Sequence, residues 1–562
     1  MNRQACDFPV QSIAEEHYAA AKIADRDAPD NILTMRPRLR GWLADALVLL
    51  CLTAAALAFV VQSGELGTSD TTHRLQTTHW LWTFEPQVFP NEYPEFGLHG
   101  RGGELFSWYG IGQSLLMLPA DVLGTWISRW RIFSGYGDDP AVRSIVVACS
   151  TSVLVNVLTA WMAFRLLGQL RYSRRESVLG VLALLFCTTH LHYTQNLMEN
   201  NYIMLLTLVG FSFQYEWLRT GSSKALLIGA GAVGLNLLTR LTTGLDLMAV
   251  GVFLLLVLWF ENVRGSALWG KFIAYCKVAA PVFFIFSLID RLYQFYRFGS
   301  FTNTYVSIFA QEQRMIDPSL PQNFPWSTPF LEGVLGPLFK PEKSILLFDP
   351  LLPLAIVLLI WLWKRLLPEV RAYGAAAILL LAGYICFYAR YTYWAGDFAW
   401  GDRYVSTSVE FVALLAVPLL LRHRELGAWM VRAGLAVVAV SLAIQLASLA
   451  FWLPLEIYQM ETLGHPTFVI ALRFQNIAAF ALGKMDAWGL TNVPMTQDAW
   501  DYVHITTWNF LPFLLRRVGA APAWVVDVAF AMWGAALALL AALLLRLRQV
   551  LRHLDSSTGP GF

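Results

Sequence analysis

Charge is what this 562-residue chain has least of: Asp, Glu, Lys and Arg make up 14%, where ordinary globular domains carry roughly 25%. With 56% hydrophobic residues, this excludes a disordered or nucleic-acid-binding chain. Neither sign dominates, because 41 basic residues nearly cancel 39 acidic ones, so no polyanionic partner and no acidic substrate is implied. Cysteine is scarce as well. Cys6 lies in a polar N-terminal tail and Cys51, Cys149, Cys187, Cys276 and Cys386 in apolar runs, which leaves none to staple the connections by disulfides. There is no glycine-rich phosphate loop ahead of a Lys-Ser or Lys-Thr pair and no dinucleotide fingerprint, so a bound nucleotide is not expected. The first apolar run starts near Trp42 with no small-residue cleavage site after it, so no cleavable signal peptide is expected. His73, His79 and His99 share a connection, but their spacings of six and twenty put them on no common helical face. No cofactor is required on this reading, and a divalent metal is not expected.

Long apolar runs are what the chain has in abundance. About twelve could cross a ~30 Å hydrocarbon layer: roughly 43–61, 142–164, 178–193, 200–218, 225–240, 241–260, 272–292, 346–363, 374–390, 405–421, 430–453 and 523–545. The expected fold class is an all-α polytopic membrane protein of about twelve transmembrane helices, with large outer loops and interfacial helices.

Lys and Arg resist translocation, so basic connections mark the cytoplasmic side. Arg36, Arg38 and Arg40 precede the first run. Arg171, Arg174 and Arg175, then Arg219 and Lys224, Arg264 and Lys271, and Lys364, Arg365 and Arg371 follow alternate runs, as do Arg422, Arg424 and Arg432, and Arg546, Arg548 and Arg552. Twelve crossings put all of these inside, together with both termini. Reading 225–260 as one crossing would send the later basic loops outside, so two short helices broken at Arg240 are expected. The apolar stretch 108–127 would likewise send 171–175 outside if it crossed, and is read as an interfacial helix on the outer leaflet.

The organisation that follows is a cytoplasmic tail over 1–41, a transmembrane bundle over 42–453, an outer connection over 454–522, and a last span with its tail over 523–562. The bundle includes two further outer connections, 62–141 and 293–345. Such connections exceed what turns need, and so are expected to form a site. Trp80, Trp82, Tyr93, Trp108 and Tyr109 in the first suit either an interfacial aromatic belt or a ligand. Ionisable residues show the same bias: Glu199, Arg240, Asp246, Asp290, and Asp402 with Arg403 map to outer helix ends, with Glu216 near the inner face. Asp246 and Asp527 are expected simply to reach water.

Four blocks in order resemble a known family: GELFSWYGIGQSLLMLPADVLG at 103–124, YRFGSFTNTY at 296–305, GPLFKPEKSILLFDPLLPL at 336–354 and YWAGDFAWGDRY at 393–404. Over roughly 60–420 the chain is similar to bacterial membrane glycosyltransferases of the GT-C superfamily, in the branch related to protein O-mannosyltransferases and lipid A aminoarabinose transferases. The resemblance implies transfer of a sugar from a polyprenyl-phosphate donor to a periplasmic or extracellular acceptor, whether lipid, glycan or protein. It also implies a catalytic acid in the first outer loop, and the matching position is Asp70 in GTSDTTHRL. Where many relatives have a second acidic residue, Thr71 stands here.

In such a reaction the acceptor loses a proton as it attacks, so Asp70 is expected as general base. Asp is also a favoured N-cap for a helix beginning near Thr71. The leaving polyprenyl phosphate is a stable anion that needs cations rather than a proton donor, and Arg403, Arg240 and Lys343 are the expected phosphate ligands. Arg403 offers a bidentate fork at the start of a span, or else pairs with Asp402 or Asp397. Arg240 and Glu199 match family positions and equally suit a pair with each other. Asp402, Tyr404 and Tyr109 are expected in support, and Tyr458, Trp488, Trp500, Tyr502 and Trp508 at the acceptor region. The implied partners are the lipid-linked donor, membrane lipids and an acceptor that the sequence does not name, at the outer face of a bacterial inner membrane. A transporter or lipid flippase would also have about twelve spans, although no second copy of YWAGDFAWGDRY marks repeated halves. A noncatalytic scaffold using its outer loops for partners is the third reading.

Overall fold

Each of these apolar runs is helical in the computed structural model of the chain. The structure describes residues 45–557 except 65, 89–96, 132–139, 303, 397–398, 424–425, 462–463, 466–467, 486–506 and 520. Tyr93, Asp397, Arg424, Trp488, Trp500 and Tyr502 therefore lie outside the described residues, as does the side chain of Tyr458.

Helix α1 (Ala46–Val60) leads into the first large connection. This holds α2 (Ser69–Thr83), an antiparallel hairpin of β1 (Gly97–His99) and β2 (Leu105–Ser107), and α3 (Gly112–Ser128). There follow α4 (Pro140–Gln169), α5 (Arg174–Cys187), α6 (His190–Asn196), α7 (Glu199–Thr220), α8 (Ser223–Thr239), α9 (Gly244–Phe260) and α10 (Gly265–Phe298). The second connection carries α11 (Tyr305–Ile316), α12 (Phe330–Phe339) and α13 (Ile345–Phe348). Next come α14 (Leu351–Leu362), α15 (Pro368–Tyr388), α16 (Ser406–Ala413), α17 (Ala416–Arg422) and α18 (Ala428–Ser448). The third connection holds α19 (Pro454–Glu461), α20 (Val469–Ala481) and α21 (Leu511–Val518), before α22 (Ala523–Ser557). The protein is an all-α polytopic membrane protein, and from Ala46 on it is one compact unit.

Among the described residues, six helical segments are long and apolar enough to cross a membrane alone: Val142–Gln169, Leu241–Phe260, Gly265–Phe298, Pro368–Tyr388, Ala428–Ser448 and Ala523–His553. A seventh arises if α5 and α6, bent by 57° at their break, count as one. The other expected spans are helical too, but differ in length or polarity. Helix α1 has 15 residues, about 22 Å at 1.5 Å per residue, and α7 carries Asn200, Asn201, Gln214, Glu216 and Arg219 along its length. Such helices are packed inside the bundle, whereas α10 and α22 have only 11% of their apolar windows buried, against 56% for α15. Those two turn Phe284, Ile285, Leu292, Met532 and Leu545 outward, as a lipid-facing perimeter requires.

Local chemistry fixes the helix ends. Ser173 and Glu176 form a capping box at the start of α5, Gly221 ends α7 in the left-handed conformation, and Ser222 then caps α8. The break at Arg240 is present: its backbone is extended (φ −154°, ψ 125°) between α8 and a 3-10 turn over Leu241–Thr243. The stretch expected as an interfacial helix is α3.

The basic connections gather at one end of the bundle. Arg422 donates to the Arg171 carbonyl at 2.6 Å, Arg171 pairs with Glu369 at 2.7 Å, Arg371 lies over the Phe260 ring, and Arg219 pairs with Glu261 at 2.6 Å. Glu216 pairs with Arg165 near this end. One expectation is overturned at Asp246, whose carboxylate is fully buried, accepting from Thr207 Oγ1 at 2.9 Å and from the Tyr384 hydroxyl instead of reaching water. Burial among helices provides these partners where lipid would not. Asp527 is exposed.

Candidate functional site

Opposite the basic end, the starts of α2, α7 and α16 and the break after α8 converge. Thr68, not Asp70, caps α2: its side-chain oxygen accepts from Thr71 N at 3.3 Å. Asp70 therefore stands inside the first turn, where a negative charge is favoured by the helix dipole. Gly67, at φ +76°, lets this turn lie against α6, since a Cβ there would fall 2.6 Å from Asn196 Oδ1.

Asp70 Oδ2 lies 2.6 Å from Arg403 Nη1. One turn along α2, Arg74 Nη1 meets Glu199 Oε2 at 2.5 Å, and the other oxygen of Glu199 accepts from Arg240. Glu199 thus bridges two guanidiniums while Asp70 holds the third. The Arg74 guanidinium lies over the Tyr109 ring at 4.1 Å, and those of Arg240 and Arg403 lie over Tyr404 at 5.4 and 5.2 Å. Three guanidiniums minus two carboxylates leave this cluster at +1. Its members are buried or nearly so, Arg74 and Glu199 at 4% side-chain exposure and Asp70 and Arg403 at 14%.

Burial pushes the Asp70 carboxyl up, but Arg403 and then Arg74 outweigh it, and with the Tyr109 hydroxyl hold it below the ordinary carboxylate range. Burial, with Asp70 adding to it, pushes the Tyr109 hydroxyl well up, so Tyr109 keeps its proton beside Asp70.

The backbone next to Arg403 is pinned from several sides. Asn200 Nδ2 donates to the Arg403 carbonyl at 2.7 Å and to Ser406 Oγ at 2.6 Å. Gly396, at φ +70°, clears space for the Arg403 side chain, whose Cγ would lie 2.6 Å from a Cβ there. Lys343 Nζ donates to the Ala399 and Gly401 carbonyls at 2.8 and 3.3 Å, and so braces this segment. Asp402 Oδ1 accepts from Tyr404 N at 3.0 Å, and burial pushes its carboxyl up. Trp400, fully buried, lies under the Arg473 guanidinium at 5.1 Å.

Rings extend from the cluster in an arc. Tyr109, Trp108, Phe309, Phe324, Tyr393, Tyr391 and Tyr404 follow one another at centroid distances of 5.9, 5.5, 5.8, 6.2, 5.8 and 5.8 Å, joining the first connection to the second and to the 393–404 block. In the third connection, Trp508 stacks on Phe451 at 5.2 Å.

Of the residues expected at the site, Asp70, Arg403, Arg240, Glu199, Tyr109 and Tyr404 come together, while Asp402 lies beside Arg403 and Lys343 braces that segment from the turn between α12 and α13. Arg74 had not been singled out; its signal was its position four residues after Asp70, on the same helical face. The loop histidines are dispersed. His79 Nδ1 lies 2.9 Å from Asp121 Oδ2, which also accepts from Trp82, and His99 lies near Glu312. Among the described residues no group of three or more His, Cys, Asp or Glu is arranged to hold a metal.

No protein-family model and no curated sequence matches the chain. Among solved structures, it is similar to the archaeal oligosaccharyltransferase AglB from Archaeoglobus fulgidus, determined with an inhibitory peptide and a dolichol-phosphate, at 13% identity and a TM-score of 0.35. The match covers 82% of this chain and 60% of that one. The chain thus spans about three fifths of that structure's length, and a likeness so remote carries no argument about activity.

Proposed function

We propose that the protein is an integral-membrane glycosyltransferase, moving a sugar from a polyprenyl-phosphate donor to an acceptor at the outer face of a bacterial inner membrane. The observation that carries this reading is the buried cluster of Arg74, Arg240 and Arg403 around Asp70 and Glu199, whose surplus positive charge suits one anionic phosphodiester. The gathered basic connections at the opposite end favour a cytoplasmic placement for that end by the charge rule, which faces the cluster outward.

In the reaction, the acceptor hydroxyl or amine passes its proton to Asp70 as its heteroatom bonds to the anomeric carbon. The bond from that carbon to the phosphate oxygen breaks, its electron pair stays on the oxygen, and polyprenyl phosphate leaves among the guanidiniums. Arg403 and Arg240 are the phosphate ligands on this reading, Lys343 holds the segment that carries Arg403, and the arc of rings offers faces for the sugar.

One observation favours a transporter. The break between α5 and α6 is lined by two buried carboxylates, since Thr189 N donates to Asp349 Oδ1 at 2.8 Å and Thr189 Oγ1 lies 3.3 Å from Glu410 Oε1. Incubating purified protein with polyprenyl-phosphate-linked labelled sugars and an envelope extract decides between the two: a transferase releases polyprenyl phosphate and labels an acceptor, whereas a transporter leaves the donor intact.

A further inference from the structure

Asp70 is a weak base in the resting structure. Arg403 faces it from the start of α16, Arg74 from its own helix, Tyr109 from the hairpin side and Glu199 from α7; of these four only Glu199 opposes its charge, and Glu199 is itself held between Arg74 and Arg240. A carboxylate so well paired has little pull on an acceptor's proton.

The three guanidiniums differ in their freedom to change partner. Arg74 and Arg240 share Glu199 as their carboxylate, Arg74 Nε and Nη1 having no hydrogen-bond partner among the described residues, whereas Arg403 is the guanidinium paired with Asp70 itself. Arg403 uses Nη1 for Asp70, reaches the Tyr404 hydroxyl with Nη2 only at 3.4 Å, and has a buried Nε with no hydrogen-bond partner among the described residues. That Nε–Nη2 edge is the planar fork to which two phosphate oxygens fit.

Resting on the donor reading above, we propose that the donor itself switches the base on: its phosphodiester takes the Nε–Nη2 edge of Arg403, draws the guanidinium's charge away from Asp70, and leaves that carboxylate competent to accept a proton only once the donor is seated. Charge balance supports this order. The cluster at +1 with a phosphodiester at −1 sums to zero. After transfer, Asp70 has gained a proton and the cluster stands at +2, while the departing phosphate has gained the electron pair of the broken bond and stands at −2. The sum is again zero, so no net charge is created in a site where isolated charge is costly. Protonation of Asp70 before the donor arrived would instead leave +2 with no anion beside it.

Two consequences are measurable without turnover. An anion that releases Asp70 from Arg403 makes the carboxylate hold a proton more readily, so donor binding takes up a proton and tightens as pH falls. Removing the carboxylate's charge should also free Arg403 for phosphate outright. The probe is the methyl ester of a polyprenyl phosphate, a phosphodiester with a single charge and no sugar to transfer, binding to full-length protein in nanodiscs of zwitterionic lipid. For the wild type, affinity should tighten by about threefold or more between about pH 7 and pH 4.5, with proton uptake read by calorimetry in buffers of different ionisation heat. Asp70→Asn should bind about tenfold tighter than wild type at neutral pH, and lose that pH dependence. Wild-type affinity that is flat with pH, without proton uptake, overturns the gate while leaving the phosphate site standing, and needs no variant to fold. Failure of the wild type to bind the phosphodiester at any pH overturns the donor reading and the gate with it.

Discussion

Asp70 and Arg403 are 333 residues apart in the chain and 2.6 Å apart in the structure. Their ion pair closes the first large connection onto the segment before α16, and brings the proposed base to the proposed phosphate ligand. Arg403→Lys keeps the charge but loses the planar fork. Turnover and affinity for the donor should both fall, affinity by about tenfold, which corresponds to ~1.4 kcal/mol. Arg403→Ala that left both unchanged in folded protein would contradict the phosphate assignment.

Glu199 is the structural counterpart of Asp70, because its two oxygens pair with two buried guanidiniums at once. Glu199→Gln leaves Arg74 and Arg240 without their carboxylate. Breaking a buried pair from one side costs roughly 3–5 kcal/mol, so thermal unfolding in detergent should move to clearly lower temperature. An unchanged unfolding temperature would mean that water, not Glu199, satisfies these arginines.

Lys343 acts on this site through the backbone carbonyls of Ala399 and Gly401. Lys343→Met should therefore lower the rate of transfer at saturating donor by about tenfold, with a smaller change in donor affinity than Arg403→Lys produces. A pure affinity loss would return Lys343 to the role of direct phosphate ligand.

Topology is open to a direct check. Reporter fusions at Gly221 and Arg422 should read cytoplasmic, and fusions at Gly97 and Pro318 external. Arg422 and Gly97 on the same side would undo the alternation of ends on which the proposed outward-facing site depends.

The helices are legible in the sequence because apolar run length and basic connections encode them directly, whereas the breaks inside 178–193, 346–363 and 405–421 are not, since each run is continuously apolar enough to suggest one span. The two-helix reading of 225–260 rested on charge parity, and the structure has the break at Arg240. Asp70, Glu199, Arg240 and Arg403 were singled out by family position and by their place at helix ends, but nothing local indicates which of them pair. Arg403 had Asp402 beside it in sequence and faces Asp70 instead, because the Asp402 carboxylate turns to the Tyr404 amide. The cap of α2 lies two residues before the Asp70 that the sequence suggests: Thr68 supplies the capping oxygen, which frees the Asp70 side chain for Arg403. Arg74 was passed over because an Asp followed four residues later by an Arg is ordinary on a helix surface, and only the fold brings Glu199 against it. Asp246 was misjudged for the same reason, its partners Thr207 and Tyr384 lying on other helices.

The most direct test of the account is sugar transfer from a polyprenyl-phosphate donor by wild-type protein and by Asp70→Asn. The substitution keeps shape, and leaves the cap at Thr68 untouched. Loss of a general base costs about 10² to 10⁴ in rate, so transfer should fall by at least the lower figure in a variant that stays folded and still binds donor. Near-normal transfer by that variant would contradict the assignment of Asp70 as the base.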